Sequence, residues 1–154
     1  MEPLPQRKWI YHTVPNWIKK SDFPYFITLC SKPKGFNRLA KDEEASILWH
    51  SLNHVEDLQL IHCNLLVVMP DHLHMIVHFH ESVPSISKVI GNWKSWVAKN
   101  TNILWQTGFF EHRIRDHRAW EEKDAYCRQN PVRKGLCQKP DEWPFIFSHS
   151  SKPS

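Results

Sequence analysis

The chain has no apolar run long enough to span a bilayer, no secretory leader, no internal repeat and no low-complexity tract. These absences weigh against a membrane-spanning protein, an exported one and a solenoid. Its four cysteines, Cys30, Cys63, Cys127 and Cys137, contain no C-x-x-C pair, so nothing demands a disulfide framework, and a reducing cytoplasm is the expected compartment. What is present is apolar and aromatic. With 41% hydrophobic and 12% aromatic residues among 154, the chain can bury a core and is too apolar for disorder. We expect one domain over 1–154: an arm over 1–23, a core over 24–147 and a tail over 148–154.

Charge is modest overall, with a formal net of +4, but uneven. Between Lys88 and Lys139 eleven Lys/Arg stand against five Asp/Glu, while the remainder is slightly acidic. A one-sided basic stretch of this kind suits a phosphate-backbone partner, and it also suits a solvated surface.

Periodicity predicts the elements. Tyr25 to Cys30 reads as a first strand, followed by a loop from Ser31 to Gly35. Asp42 is the expected N-cap of a helix whose apolar face is Ala45, Leu48, Leu52 and Val55. Leu60 to Met69 and His72 to Phe79 read as two strands joined by a Met-Pro-Asp turn. Ser85 caps a second helix with Ile86, Val89, Ile90, Trp93 and Val97 on one face. Phe109 to Arg115 alternates as a fourth strand, and Asp116 caps a third helix expected to stop near Asn130, before Pro131. This order predicts an α+β, ferredoxin-like (RRM-like) antiparallel sheet with helices packed on one face.

In the third strand His72 and His74 flank Leu73, so both imidazoles share a face while Leu73, Met75, Val77 and Phe79 point the other way into a core. Such a pair can chelate one metal ion. His78 and His80 continue on the same face, so a partly wetted sheet surface fits the stripe as well. His80 lies six residues from His74, roughly 20 Å along a strand, and is expected not to be a ligand. On the third helix Tyr126 and Asn130 are four apart and look the same way. If that face meets the histidines, an amide oxygen and a phenol join the imidazoles, an arrangement suited to phosphoryl transfer. A packed tyrosine and a helix-terminal asparagine explain the same spacing without any chemistry.

Five runs in order carry a resemblance: Val68-Met69-Pro70-Asp71-His72-Leu73-His74-Met75-Ile76-Val77; Trp93-Lys94-Ser95-Trp96; Trp105 through Asp116, which contains Gly108-Phe109-Phe110-Glu111-His112-Arg113-Ile114-Arg115; Tyr126-Cys127-Arg128-Gln129-Asn130-Pro131-Val132-Arg133-Lys134-Gly135-Leu136; and Asp141-Glu142-Trp143-Pro144-Phe145. Over roughly 24–147 the chain resembles the REP-associated tyrosine transposases, single-tyrosine HUH (IS200-like) enzymes of bacteria. It departs from them mildly, at Cys127 and Lys134, at Glu111 where Asp is more usual, and at Asn130 where some relatives carry Gln.

The resemblance implies that His72, His74 and Asn130 hold a divalent cation, Mg²⁺ or Mn²⁺, and that Tyr126 is the nucleophile. It implies a transposase that cleaves and rejoins single-stranded DNA by transesterification through a 5′-phosphotyrosine, at palindromes that fold into hairpins, acting as a monomer or homodimer. Glu111 and His112 would shape the site. Lys94, Arg113, Arg115, Arg128, Arg133 and Lys134 are the candidates for backbone phosphates. Trp96 and Trp105 could stack on unpaired bases, whereas Trp93 falls on an apolar helix face. Two other readings stay open on sequence grounds: a non-catalytic RRM-like nucleic-acid-binding module, and a metal-dependent phosphodiesterase that uses water in place of tyrosine.

Overall fold

The computed structural model describes residues 15–19 and 22–149; the expected arm and tail lie for the most part outside them. Three long strands form the centre: β1 (Tyr25–Lys32), β2 (Ile61–Val68) and β3 (His72–Phe79). β3 is the middle strand, antiparallel to β1 on one side and β2 on the other. Two short strands, β4 (Leu104–Trp105) and β5 (Phe110–Arg113), line up along the outer edge of β1, and β6 (Ile146–Phe147) adds to the outer edge of β2. The last major strand lies beside the first and the third lies between the first and second, which is the ferredoxin-like order predicted from the sequence. β4 and β6 were not foreseen, because two residues carry no readable alternation.

Helices α1 (Asp42–Asp57) and α2 (Ile86–Asn100) pack on one face of this sheet. Leu48, Leu52, Ile90, Trp93 and Val97 from the helices meet Ile27, Leu29, Leu66, Leu73, Met75 and Val77 from the strands. Burial of each such side chain contributes about 1.5–3 kcal/mol. Ser85 caps α2 as expected, accepting from the Lys88 amide. Asp42 begins α1 instead of capping it; the cap position is Lys41, which makes no side-chain bond. Asp42, Glu43 and Glu44 instead place negative charge at the positive end of the helix dipole.

The third helix, α3 (His117–Arg133), corrects the placement of all helices on one face: it crosses the opposite face of the sheet. The reason lies in the strands, which are buried on both sides. Phe26, Leu65, Val67 and Ile76 form a second apolar surface, and Trp120, Cys127 and Ile114 cover it. An irregularity in β2 between Cys63 and Leu65 sends Cys63 to the first core and Leu65 to the second. Asp116 caps α3 as predicted, accepting from the Ala119 amide at 2.8 Å. The helix does not stop at Asn130: it runs through Pro131 to Arg133 and gives way at Gly135, whose φ of +75° is one that glycine adopts freely. In the last turn the proline forfeits a single hydrogen bond, which the helix tolerates.

Candidate active site

The site forms where α3 lies over the start of β3. Strand alternation puts His72 and His74 on the face opposite Leu73 and Met75, and the pairings Cys30 with His72 and Thr28 with His74 hold them in register. Tyr126 and Asn130, one turn apart on α3, descend on the same spot. Asn130 is buried, and its Oδ1 stands 3.4 Å from His72 Nε2. The Tyr126 ring lies 5.8 Å from that of His74 and is 44% exposed. The four side chains that spacing alone could not unite are therefore neighbours.

Each imidazole is oriented by its other nitrogen. His72 Nδ1 is 2.9 Å from Asp71 Oδ1; a carboxylate can only accept, so in the neutral ring the proton sits on Nδ1 and Nε2 carries the lone pair. Burial would raise the Asp71 carboxyl, but its bonds to His72 and to the Gly35 amide hold it below the ordinary carboxylate range. His74 Nδ1 lies 2.8 Å from Thr28 Oγ1, and the tautomer in which it donates to that hydroxyl leaves Nε2 free. Burial, reinforced by His72, Lys123 and Arg133, pushes the His74 pKa down to about 3, although the Asn130 amide favours its charged form. His74 is thus neutral at physiological pH. Phe26 stacks on its ring at 5.3 Å and fixes its plane.

A divalent cation fits these residues. His74 Nε2 is buried and lacks a hydrogen bond of adequate geometry. His72 Nε2 and Asn130 Oδ1 face each other at 3.4 Å, and in the tautomer with the proton on Nδ1, bonded to Asp71, both offer lone pairs. Three such atoms converging on one place form an arrangement that a metal ion satisfies. The Asp71 and Thr28 bonds are the outer contacts that metal-binding histidines ordinarily make.

The remaining predicted residues are distributed unevenly. Arg133 lays its guanidinium 4.3 Å over the Tyr126 ring and donates to the Tyr126 carbonyl at 3.0 Å. Arg113, Arg115 and Lys134 are exposed. Arg128 is paired with Asp124 at 3.0 Å, one turn away. Lys94 donates to the carbonyls of Gln106 and Gly108, at 3.1 and 2.8 Å, and so holds the β4–β5 loop with the charge expected to be free for phosphate. His112 pairs with Phe26 and shares the histidine face, whereas Glu111 pairs with Ile27 and points to the other side of the sheet.

Of the tryptophans, Trp93 is buried as expected and Trp105 donates to the Lys94 carbonyl and packs on the first core. Trp96 is exposed, but on α2, across the sheet from the histidines. Two residues at the site were missed. Lys123, one turn before Tyr126, places its ammonium 4.5 Å over Phe26 and 5.6 Å from the Tyr126 ring centre. Phe110, 55% exposed and 6.1 Å from Phe26, is a second open aromatic on this face beside Tyr126. The position of Lys123 three before Tyr126 was the available signal for the first; register, which sequence does not show, was needed for the second.

No family model matches the chain. It is similar to the REP-associated tyrosine transposase of Escherichia coli (strain K12), 28% identical over an alignment of 108 positions that covers 67% of this chain and 64% of that protein. The chain thus matches just under two thirds of that relative's length. Its fold is similar to a solved REP-associated tyrosine transposase bound to a REP hairpin, with a TM-score of 0.71 at 25% identity over 86% of this chain and 79% of the other. A candidate transposase of Deinococcus radiodurans shares the fold alone, with a TM-score of 0.53 at 15% identity over 73% of this chain and 93% of that one. Motif order, relative and solved fold agree: in sequence and in fold the chain is similar to REP-associated tyrosine transposases.

Proposed function

We propose that this protein is a single-tyrosine transposase that cuts and rejoins single-stranded DNA, with a folded hairpin as its substrate. The observation that carries the reading is the convergence of the Tyr126 ring with the Nε2 atoms of His72 and His74 and the Asn130 oxygen, from side chains 52 to 58 residues apart in sequence. His72, His74 and Asn130 are the residues that would hold Mg²⁺ or Mn²⁺. When bound, the cation supplies Lewis-acid polarisation of a phosphate.

The chain's own groups do the rest. Tyr126, wet enough to meet a substrate yet held by Arg133 on one ring face, supplies the attacking phenol oxygen. Its bond to phosphorus forms as the bond to the 3′ oxygen breaks, leaving a 5′-phosphotyrosine and a free 3′-OH. One phosphodiester replaces another, so the return reaction needs no external energy. Lys123 and Arg133 flank the ring where phosphate oxygens would gather, and exposed Arg113, Arg115 and Lys134 extend positive charge beyond it. His112 belongs to the same face and would contact substrate. An exposed Phe110 offers a stacking surface to an unpaired base, a contact that contributes roughly 1–3 kcal/mol.

The test is incubation of labelled single-stranded hairpin DNA with the protein and Mn²⁺, followed by denaturing electrophoresis. A protein–DNA band in wild type that vanishes with chelator and in Tyr126→Phe is the expected result. Cleavage that survives Tyr126→Phe with no adduct would mean a water-using phosphodiesterase, and binding with neither cleavage nor adduct would mean an inert binding module. No helix among the described residues is long and apolar enough to cross a membrane, and the four cysteines are unpaired, which suits a protein working on DNA in a reducing cytoplasm.

A further inference from the structure

A second group of metal-ligating side chains lies away from the tyrosine, at the outer edge of β2. β6 pairs with β2 only at Leu66 and Val67, so the first half of that edge has no strand partner among the described residues. Glu56, from the last turn of α1, reaches this stretch and accepts the Cys63 amide. His149, just past β6, brings its Nε2 to 2.8 and 3.0 Å from the two Glu56 oxygens. His62, on β2 itself, turns its Nδ1 toward the same carboxylate at 3.9 Å. One ligand atom from each of the three lies within 4.8 Å of the others.

From this we infer that Glu56, His62 and His149 form a second metal site, of the zinc type, which clips the segment after β6 to the sheet edge.

Three features favour an ion over a simple ion pair. The carboxylate serves His149 but leaves His62 Nδ1 beyond hydrogen-bond distance, so His62 is aimed at the group without being satisfied by it. The two imidazoles lie 5.2 Å apart with 22° between their planes, and one nitrogen of each is within 4.8 Å of the other and of the carboxylate. Trp49 packs against His149 at 5.1 Å, and the Cys63 amide holds the carboxylate, so two of the three donors are already fixed. Two imidazole nitrogens and one carboxylate oxygen form a zinc donor set, with a fourth position for water; Mg²⁺ and Ca²⁺ prefer oxygen throughout. The site is separate from the tyrosine centre. His62 pairs with His78, six residues along β3 from His72, which puts the two places roughly 20 Å apart.

The inference does not rest on the transposase reading and can be tested with that centre removed. The double variant His72→Ala/His74→Ala, prepared metal-free, is titrated with Zn²⁺ by calorimetry and with Co²⁺ by visible absorption. We expect one ion per chain, Co²⁺ bands of a low-symmetry nitrogen–oxygen site, and a thermal midpoint that rises with Zn²⁺. Adding His149→Ala, at a partly exposed position after the last strand, or Glu56→Gln should abolish all three effects while the far-ultraviolet circular dichroism stays unchanged. Absence of binding in the double variant, or binding that persists after both further substitutions, would overturn the proposal.

Discussion

At the scale of single residues, the candidate centre depends on which atom of each side chain is left free. With Asp71 and Thr28 accepting from the Nδ1–H groups of His72 and His74, both Nε2 lone pairs face one place. Asp71→Asn removes the group that can only accept, so the His72 tautomer is no longer fixed; metal affinity measured by titration should fall by about 10- to 100-fold with little change in fold. Tyr126→Phe removes one oxygen from a half-exposed ring and should leave hairpin binding within a few-fold of wild type while covalent capture disappears. A Tyr126→Phe protein that still yields the adduct would move the nucleophile elsewhere. The histidine pair and the tyrosine–asparagine pair were legible from spacing. Asp71 was adjacent in sequence but its role needed a distance, and Thr28 is 46 residues from its partner.

At the scale of elements, α3 is the part that turns a sheet surface into a site. It is held by Trp120 and Cys127 in the second core and by the Asp116 cap. Trp120→Ala should cost about 3–5 kcal/mol in denaturant unfolding and should lower DNA cleavage without touching any reacting atom. Asp116→Ala should cost about 1 kcal/mol, since it leaves a first-turn amide without its acceptor. If Trp120→Ala unfolds like wild type, the helix is anchored by something other than that core. Caps and apolar stripes made the three helices readable beforehand. That α3 crosses the other face could not be read, because the strands it covers are apolar on both sides and periodicity does not say which side a given helix takes.

At the scale of the whole molecule, buried histidines make stability depend on pH. Burial is the leading cause that lowers His62 and His78 to about 4 and His74 to about 3. In the unfolded chain these groups titrate near 6.5, so between there and about 4 the unfolded state binds more protons and stability falls as pH falls. Metal-free protein should therefore show a thermal midpoint flat above about pH 7 that declines on acidification, at up to about 1.4 kcal/mol per pH unit for each histidine. His78→Gln should flatten that slope; an unchanged slope would remove His78 from the account. DNA affinity should also fall with salt, and neutralising the exposed Arg115 and Lys134 together should reduce the logarithmic slope by roughly 1.4 if both meet single-stranded phosphates.

By itself the sequence determined the order and type of the long elements, the two helix caps at Ser85 and Asp116, and the pairs His72/His74 and Tyr126/Asn130. These are local properties, set by periods of two and 3.6 residues. Only the tertiary structure decided that the two pairs meet, that Lys94 is tied to a loop, that Glu111 and His112 lie on opposite faces, and that Glu56, His62 and His149 gather at a sheet edge. Those outcomes depend on strand register and on which face a helix covers, and both are fixed by contacts between residues far apart in the chain.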